Sequence, residues 1–407
     1  MLVSLSAQLK VFYLLILATG LFFINQLEVI ALVAGFQLAL WLYSKLPLSA
    51  AIKAVSRLKW FVLLIILSYL LIPPGTAQAD FSIDLKLFEL NIYFSGLDHA
   101  LLMLSRVLLL VISSLWVRLS EPKGVFVGVL QKFGVPDIIA IVIDAGLSIT
   151  SGDRSGHSGS GHGKGKGQGG GKSGDSGSGS GKKNKDGRFK KTVVFFDDIR
   201  QGRFDFIDNL IASAFEKSRN YMAQNYPQMN ESLRRDASII LMVVIAVMSL
   251  KLIQLMPGLP FAPGHKNTLV LPLLVLASMM TSGRFGGFAA GFSIGVVSFL
   301  LGYGKFGIFE VFQFALPGLV ADLLLSILVT GTGAILMLRL AILGAILGLT
   351  RFVANFMVLM LAGSPELAWV VFLPMLISQV VFGTLSCLVC VYIVKLFREK
   401  KLPVENT

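Results

Sequence analysis

Charge is what this sequence has least of. Only 14% of its 407 residues are Asp, Glu, Lys or Arg, against about 25% in an ordinary soluble domain. That excludes a water-solvated globule and leaves a multi-pass membrane protein. Cysteine is nearly missing: Cys387 and Cys390, inside the apolar run SCLVCVYIV, are the whole set. No disulfide framework is implied, and the pair reads as small packing residues. Histidine is as sparse. His99, His157, His162 and His265 lie far apart or in a polar stretch, short of the ligand set a zinc site needs. The same scatter argues against a membrane-embedded enzyme, which would cluster His or Asp at one depth. Acidic residues number 23 against 36 basic ones. The excess falls between apolar runs and in one tether, where it marks the cytoplasmic side of a membrane rather than a nucleic-acid surface.

What the sequence does have is hydrophobicity in runs. Stretches of about 17–25 apolar residues can cross a bilayer as helices. Candidates fall near residues 9–25, 28–44, 58–73, 98–117, 237–255, 268–282, 286–302, 311–330, 334–361 and 368–396. The expectation is an all-α polytopic protein of about ten spans. No small-residue cleavage site follows the first run, so it reads as a retained span. Lys45, Lys53, Arg57 and Lys59 lie between the second and third runs. Arg118, Lys123 and Lys132 follow the fourth, and Arg398, Lys400 and Lys401 close the chain. The alternate loops carry Glu28, Asp80, Asp84, Lys86, Glu89 and Asp98, then Lys266, Lys305 and Glu366. Positive-inside bias therefore puts both termini and residues 118–236 in the cytoplasm. The chain divides into spans over residues 1–120, a cytoplasmic segment over 121–236, and further spans over 237–401.

The cytoplasmic segment is interrupted by SGDRSGHSGSGHGKGKGQGGGKSGDSGSGSGKKNKDG, residues 151–187. Gly171-Lys172-Ser173 mimics the end of a phosphate-binding loop, but the first glycine of that motif would fall on Lys166. No apolar strand precedes it. Gly, Ser and Lys in this proportion make a solvated tether, with an r.m.s. reach of ~35 Å. No cofactor and no metal are expected on this chain.

Before the tether, residues 120–149 read as two short helices broken at Gly134-Val135-Pro136, with Pro136 suited to a first helical turn. After it, Phe204, Ile207, Leu210, Ile211, Ala214, Phe215 and Met222 fall on one stripe at helical spacing. Asp205, Asp208, Glu216, Lys217 and Arg219 lie mostly off it. Such a stripe is either a helix packing under the membrane domain or a lever that docks a soluble partner.

Residues 100–136, ALLMLSRVLLLVISSLWVRLSEPKGVFVGVLQKFGVP, resemble the T component of energy-coupling factor (ECF) transporters, the family of the cobalt-transport protein CbiQ. There an arginine-bearing span, with Arg106 here, leads into a T-[ST]-P turn, here Ser120-Glu121-Pro122. A helix and an "lG-P" break follow, here Gly134-Val135-Pro136. Residues 210–226 resemble the family's second coupling helix, although YMAQNYP stands where Ala-Arg-Gly is expected. Of the first Ala-Arg-x motif only Asp153-Arg154-Ser155 remains. The resemblance implies that Arg154, Phe204, Ile207, Ile211, Phe215, Arg219 and Met222 dock two ECF-type ATPase subunits, which would bind and use ATP.

Residues 257–396 look like the substrate-binding S component of such a transporter, in the order of a proline-rich outer loop, an apolar span, a Gly-rich turn and a glycine-rich span. Residues 237–255 fit either half. Gly287, Gly291 and Gly295 recur every four residues and bare one helix face. Such faces let membrane helices approach closely, for plain packing or for sliding between halves. Polar residues inside spans are costly and point to function. Glu310, Gln313, Asn355 and Gln379 are the candidates for an outward-facing pocket, with His265 placed to help close it. Arg339 is placed to pair with Asp322, and Arg351 with another carboxylate. Together these readings imply a non-catalytic membrane subunit of an ECF-type ABC importer for a vitamin, a precursor or a metal ion. The alternative is an ATP-independent permease or channel with a regulatory cytoplasmic loop.

Overall fold

The structure is a computed structural model that describes residues 6–57, 59–71, 80–84, 89–121, 125–152, 205–253, 267–301, 307–328, 333–361, 368–369 and 371–399. The tether beyond Gly152, with Arg154 and Phe204, lies outside them, as does His265. The first group of elements is α1 (Ala7–Gly20), α2 (Leu27–Tyr43), α3 (Leu48–Arg57), α4 (Lys59–Leu71), β1 (Phe81–Asp84), β2 (Glu89–Ile92) and α5 (Gly96–Ser120). Then come α6 (Val125–Lys132), α7 (Asp137–Gly152), α8 (Asp205–Asn225) and α9 (Glu231–Ile253). The chain closes with α10 (Asn267–Met280), α11 (Gly286–Leu300), a 3-10 turn (Gly307–Phe309), α12 (Glu310–Leu328), α13 (Gly333–Leu361) and α14 (Phe372–Glu399).

Helices dominate, as expected, and the strands are confined to one short hairpin among the described residues. An antiparallel hairpin pairs Phe81 with Ile92 and Asp84 with Glu89. Its segments, FSID and ELNI, alternate apolar and polar residues, the period of a strand rather than a helix. Tyr93 N–H donates to Leu70 O at 2.9 Å, tying the hairpin to the end of α4.

Among the described residues three helices are long and apolar enough to cross a membrane: Gly96–Ser120, Gly307–Leu328 and Ile335–Leu361. Five more apolar helices are shorter, among them Ala7–Gly20 and Gly286–Leu300. At about 1.5 Å per residue a 14-residue helix such as α1 reaches roughly 21 Å, less than the ~30 Å hydrocarbon thickness. Ten full-length spans are therefore not what the described helices display.

The break at residues 134–136 has a specific geometry. Gly134 has φ +81°, the left-handed state that glycine reaches without steric cost. Val135 N–H donates to Leu130 O at 3.0 Å, and Gly134 N–H to Gln131 O at 2.9 Å. These two bonds satisfy the last carbonyls of α6. Pro136 O then accepts from Ile139 and Ala140 N–H to start α7.

The core centres on α9, which packs against α7, α8, α10 and α11. From Asp236 to Met248 every residue is buried. α7, read from the sequence as part of the cytoplasmic segment, packs against α9 and α11. A Cβ on Gly146 of α7 would lie 3.1 Å from Val244 of α9 and 3.3 Å from Val297 of α11. The N-terminal group meets this core through α5, where Ser114 Oγ donates to Phe299 O of α11 at 3.0 Å. Phe22 and Phe309 add an edge-to-face contact with ring centroids 4.9 Å apart.

Candidate functional site

The polar groups of the C-terminal helices separate into two kinds: clamps and a buried cluster. The clamps come first. Asp322 of α12 accepts from Ser278 Oγ at 2.5 Å, from Gly287 N–H at 2.9 Å and from Phe288 N–H at 2.7 Å. Gly287 and Phe288 begin α11, whose own N-cap residue, Phe285, makes no side-chain cap. Asp322 thus does from a neighbouring helix what a capping side chain does locally, and it meets the positive end of the helix dipole. Asp236 of α9 accepts from Ser282 N–H at 3.0 Å and from its hydroxyl at 2.5 Å. Two carboxylates on two helices hold the same α10–α11 turn.

Glycine sets the spacing beside these clamps. A Cβ on Gly287 would sit 2.8 Å from Gly318 O, and one on Gly295 would sit 2.5 Å from Val311 Cα. One on Gly291 would clash with Phe314 O. The bare face of α11 therefore rests directly on the backbone of α12, as small-residue faces permit in membranes. A second seam of this kind, missed at the sequence level, joins α13 to α14. There Gly344 and Gly348 meet Gly383 and the backbone of Gln379.

The buried cluster lies between these seams. Glu310, Gln313 and Phe314 occupy one face of the first turns of α12, at the i, i+3, i+4 spacing that brings side chains together. Glu310 and Gln313 are each 7% exposed. Across from them, Arg351 of α13 is 9% exposed and holds its guanidinium carbon 4.7 Å from the Phe314 ring centroid. Glu310 is near enough to act on Arg351 electrostatically. Gln313 Nε2 and Arg351 Nη1 find no hydrogen-bond partner among the described residues. Pro317, inside the helix, carries no N–H, so the Gln313 carbonyl also lacks its usual helical donor.

Of the four candidate pocket residues, Glu310 and Gln313 share this cluster. Gln379 is buried on α14, where its backbone packs against Gly348, one turn before Arg351. Asn355, half-buried, sits one turn beyond Arg351, beside an aromatic group. In that group the Phe356 ring lies 5.4 Å from Trp369 and 5.3 Å from Phe372. Arg351 itself was expected only as a structural ion-pair partner. The signal was available: a cation within a 29-residue apolar helix is costly unless it is used. Chemically the cluster offers guanidinium and amide donors, one carboxylate and an aromatic face. That set suits a small polar molecule with an acceptor group and a flat ring.

The docking residues divide differently. In α8, Ile211, Ala214, Ser218 and Met222 are buried, and α8 packs on α9. Phe215 is half-buried and Arg219 exposed; Ile207 lies in α8, and its side chain is outside the described residues. The buried members of the stripe are thus spent inside the chain. Among the residues that α8 leaves exposed are Glu216, Lys217, Arg219, Asn220 and Gln224. At the α8–α9 turn, burial, and secondarily the Asp144 carboxylate, push the Tyr226 phenol up to about 12.

Arg106, the arginine of the fourth run, is 1% exposed. Its Nη2 donates to Ile24 O at 2.6 Å and to Asn25 Oδ1 at 2.8 Å. It therefore fastens α5 to the α1–α2 turn. Glu121, of the Ser120-Glu121-Pro122 turn, is ion-paired to buried Lys10 of α1 at 2.5 Å. The two cysteines are both buried, with sulfurs 4.0 Å apart. No protein-family model, curated protein or solved structure matches this chain.

Proposed function

We propose that this chain is the non-catalytic membrane subunit of an ECF-type importer. In this reading it lies in a cell membrane as a multi-pass protein of about ten passes with both termini cytoplasmic. Two ATPase subunits on other chains hydrolyse ATP, and the C-terminal helices carry a micronutrient inward. One observation carries the reading. A packed path runs from α8 through α9 to α11 and on to α12, so a push on the exposed side of α8 reaches the helix bearing Glu310 and Gln313. The substrate is bound by Arg351 and Gln313 as donors, with Phe314 as the flat wall. Since Glu310 and Arg351 are nearly closed off from solvent, binding and release require α12 and α13 to part.

The resemblance of residues 100–136 to a T component supports the same reading. It comes with a revision to the docking surface. Because Ile211 and Met222 are buried, the ATPase contact falls on the polar side of α8, with Arg219 at its centre. The test is reconstitution of the full chain in vesicles, with and without candidate ATPase subunits and ATP. Uptake should need both, and Arg219→Glu should abolish ATP-driven uptake while leaving ligand binding intact. Arg351→Met should abolish binding itself. Uphill accumulation by the chain alone would replace this reading with the permease.

A further inference from the structure

The N-terminal helices form a half-open groove of about 390 Å³, within the size range of small-molecule sites. It runs along α2 from Leu27 to Trp41 and along α5 from Ser105 to Ile112, with the first turn of α3 as its floor. Fourteen residue steps of α2 correspond to about 21 Å, enough for an acyl chain that fills one leaflet, roughly half of the ~30 Å hydrocarbon core. Its wall is apolar except at Gln37 and at Ser105, whose hydroxyl is spent on Leu101 O at 2.7 Å. The Gln37 side chain is 1% exposed and is aimed by Tyr13, whose hydroxyl donates to Gln37 Oε1 at 2.8 Å. The amide Nε2 has no partner among the described residues, so a buried donor borders an apolar groove.

The depth of Gln37 says which acceptor fits. One turn away, Trp41 donates its indole N–H to Leu46 O at 3.2 Å, and Trp116 donates to Ser44 Oγ at 2.8 Å. Tyr43 and Lys45 stand at the same end of α2. Trp and Tyr beside a Lys are the mark of a membrane–water boundary. Gln37 therefore sits just inside that boundary, at the level of a lipid's ester carbonyls. We propose that the groove between α2 and α5 binds one diacyl phospholipid. One acyl chain lies along α2, and an ester carbonyl accepts from Gln37 Nε2.

The probes are a diacyl phosphatidylglycerol and its dialkyl ether analogue, which has no ester carbonyl. Each is offered to the purified full-length protein, and retained lipid is read by native mass spectrometry after washing. Wild type should retain one ester lipid about five- to tenfold better than the ether, the scale of one buried hydrogen bond. Gln37→Leu should bring that ratio to about one. Ala34 lines the groove and is exposed, so Ala34→Phe should fill it without disturbing the core and remove retention of both lipids at an unchanged melting temperature. Equal retention of the two lipids by wild type, or undiminished retention by Ala34→Phe, overturns the proposal. So does a bound polypeptide mass in place of a lipid.

Discussion

Two helices in this chain carry long stretches that are apolar nearly all round, and these live in different surroundings. In α9 every residue from Asp236 to Met248 is buried. In α2 only Ile30, Gln37, Leu40 and Trp41 are buried, while Leu32 is 74% exposed. A helix without a polar face must be enclosed by something apolar, and protein and lipid serve equally well. What distinguishes the two is the neighbour: α9 has helices around it, whereas α2 leans on α5 alone among its stronger contacts. Hydrophobicity is thus a statement about the solvent a residue avoids, and packing decides what a substitution costs.

The sharpest way to break this comparison lies at the seam next to α9. Gly291→Leu should push α11 off the backbone of α12, costing about 3 kcal/mol or more, and should abolish a monodisperse peak in detergent chromatography. Leu241→Ala, in the enclosed stretch of α9, should lower stability by about 3 kcal/mol through the cavity it leaves, read as a drop in melting temperature. Asp322→Ala should cost about 2 kcal/mol by orphaning two N–H groups and a hydroxyl. Hydrogen exchange at Gly287 and Phe288 should quicken, and Asp322→Asn should recover part of the loss.

A smaller effect concerns pH. The Tyr226 phenol is held at about 12 against its ordinary 10.0. Its neutral form is favoured in the folded state, so the stability it contributes is full below pH 10 and drains away as pH climbs through about 12. Tyr226→Phe should flatten that part of the alkaline unfolding curve. At the far end of the scale, Leu32→Ala on α2 should shift stability by less than about 0.5 kcal/mol. A large loss there would show α2 to be covered by protein and erase the contrast with α9.

Local grammar was legible in the sequence. Gly134-Val135-Pro136 announced a helix end because only glycine takes the left-handed step cheaply, and the four-residue recurrence of Gly287, Gly291 and Gly295 announced a bare face. Neighbours were not legible. Nothing in DIIAIVIDAGLSI says that α7 packs against Val244 and Val297, since periodicity reports which residues share a face and not what covers it. For the same reason the stripe through Ile211 and Met222 was open to two readings, internal packing or docking, and both residues are buried inside the chain. Arg351 was read as a counter-ion because its distance to Phe314 depends on two helices 37 positions apart. The hairpin at residues 81–92 was overlooked because its four-residue strands sit between stronger helical signals.

The double grip on the α10–α11 turn has a mechanical corollary. Ser282 is moored to α9, and the start of α11 is moored to α12, each by charged bonds to backbone N–H. With both moorings in place, α9, α11 and α12 can swing only in concert, like spokes sharing one hub. Lengthening the loop at residues 281–285 by a single amino acid would unseat one carboxylate or the other and let the spokes turn separately.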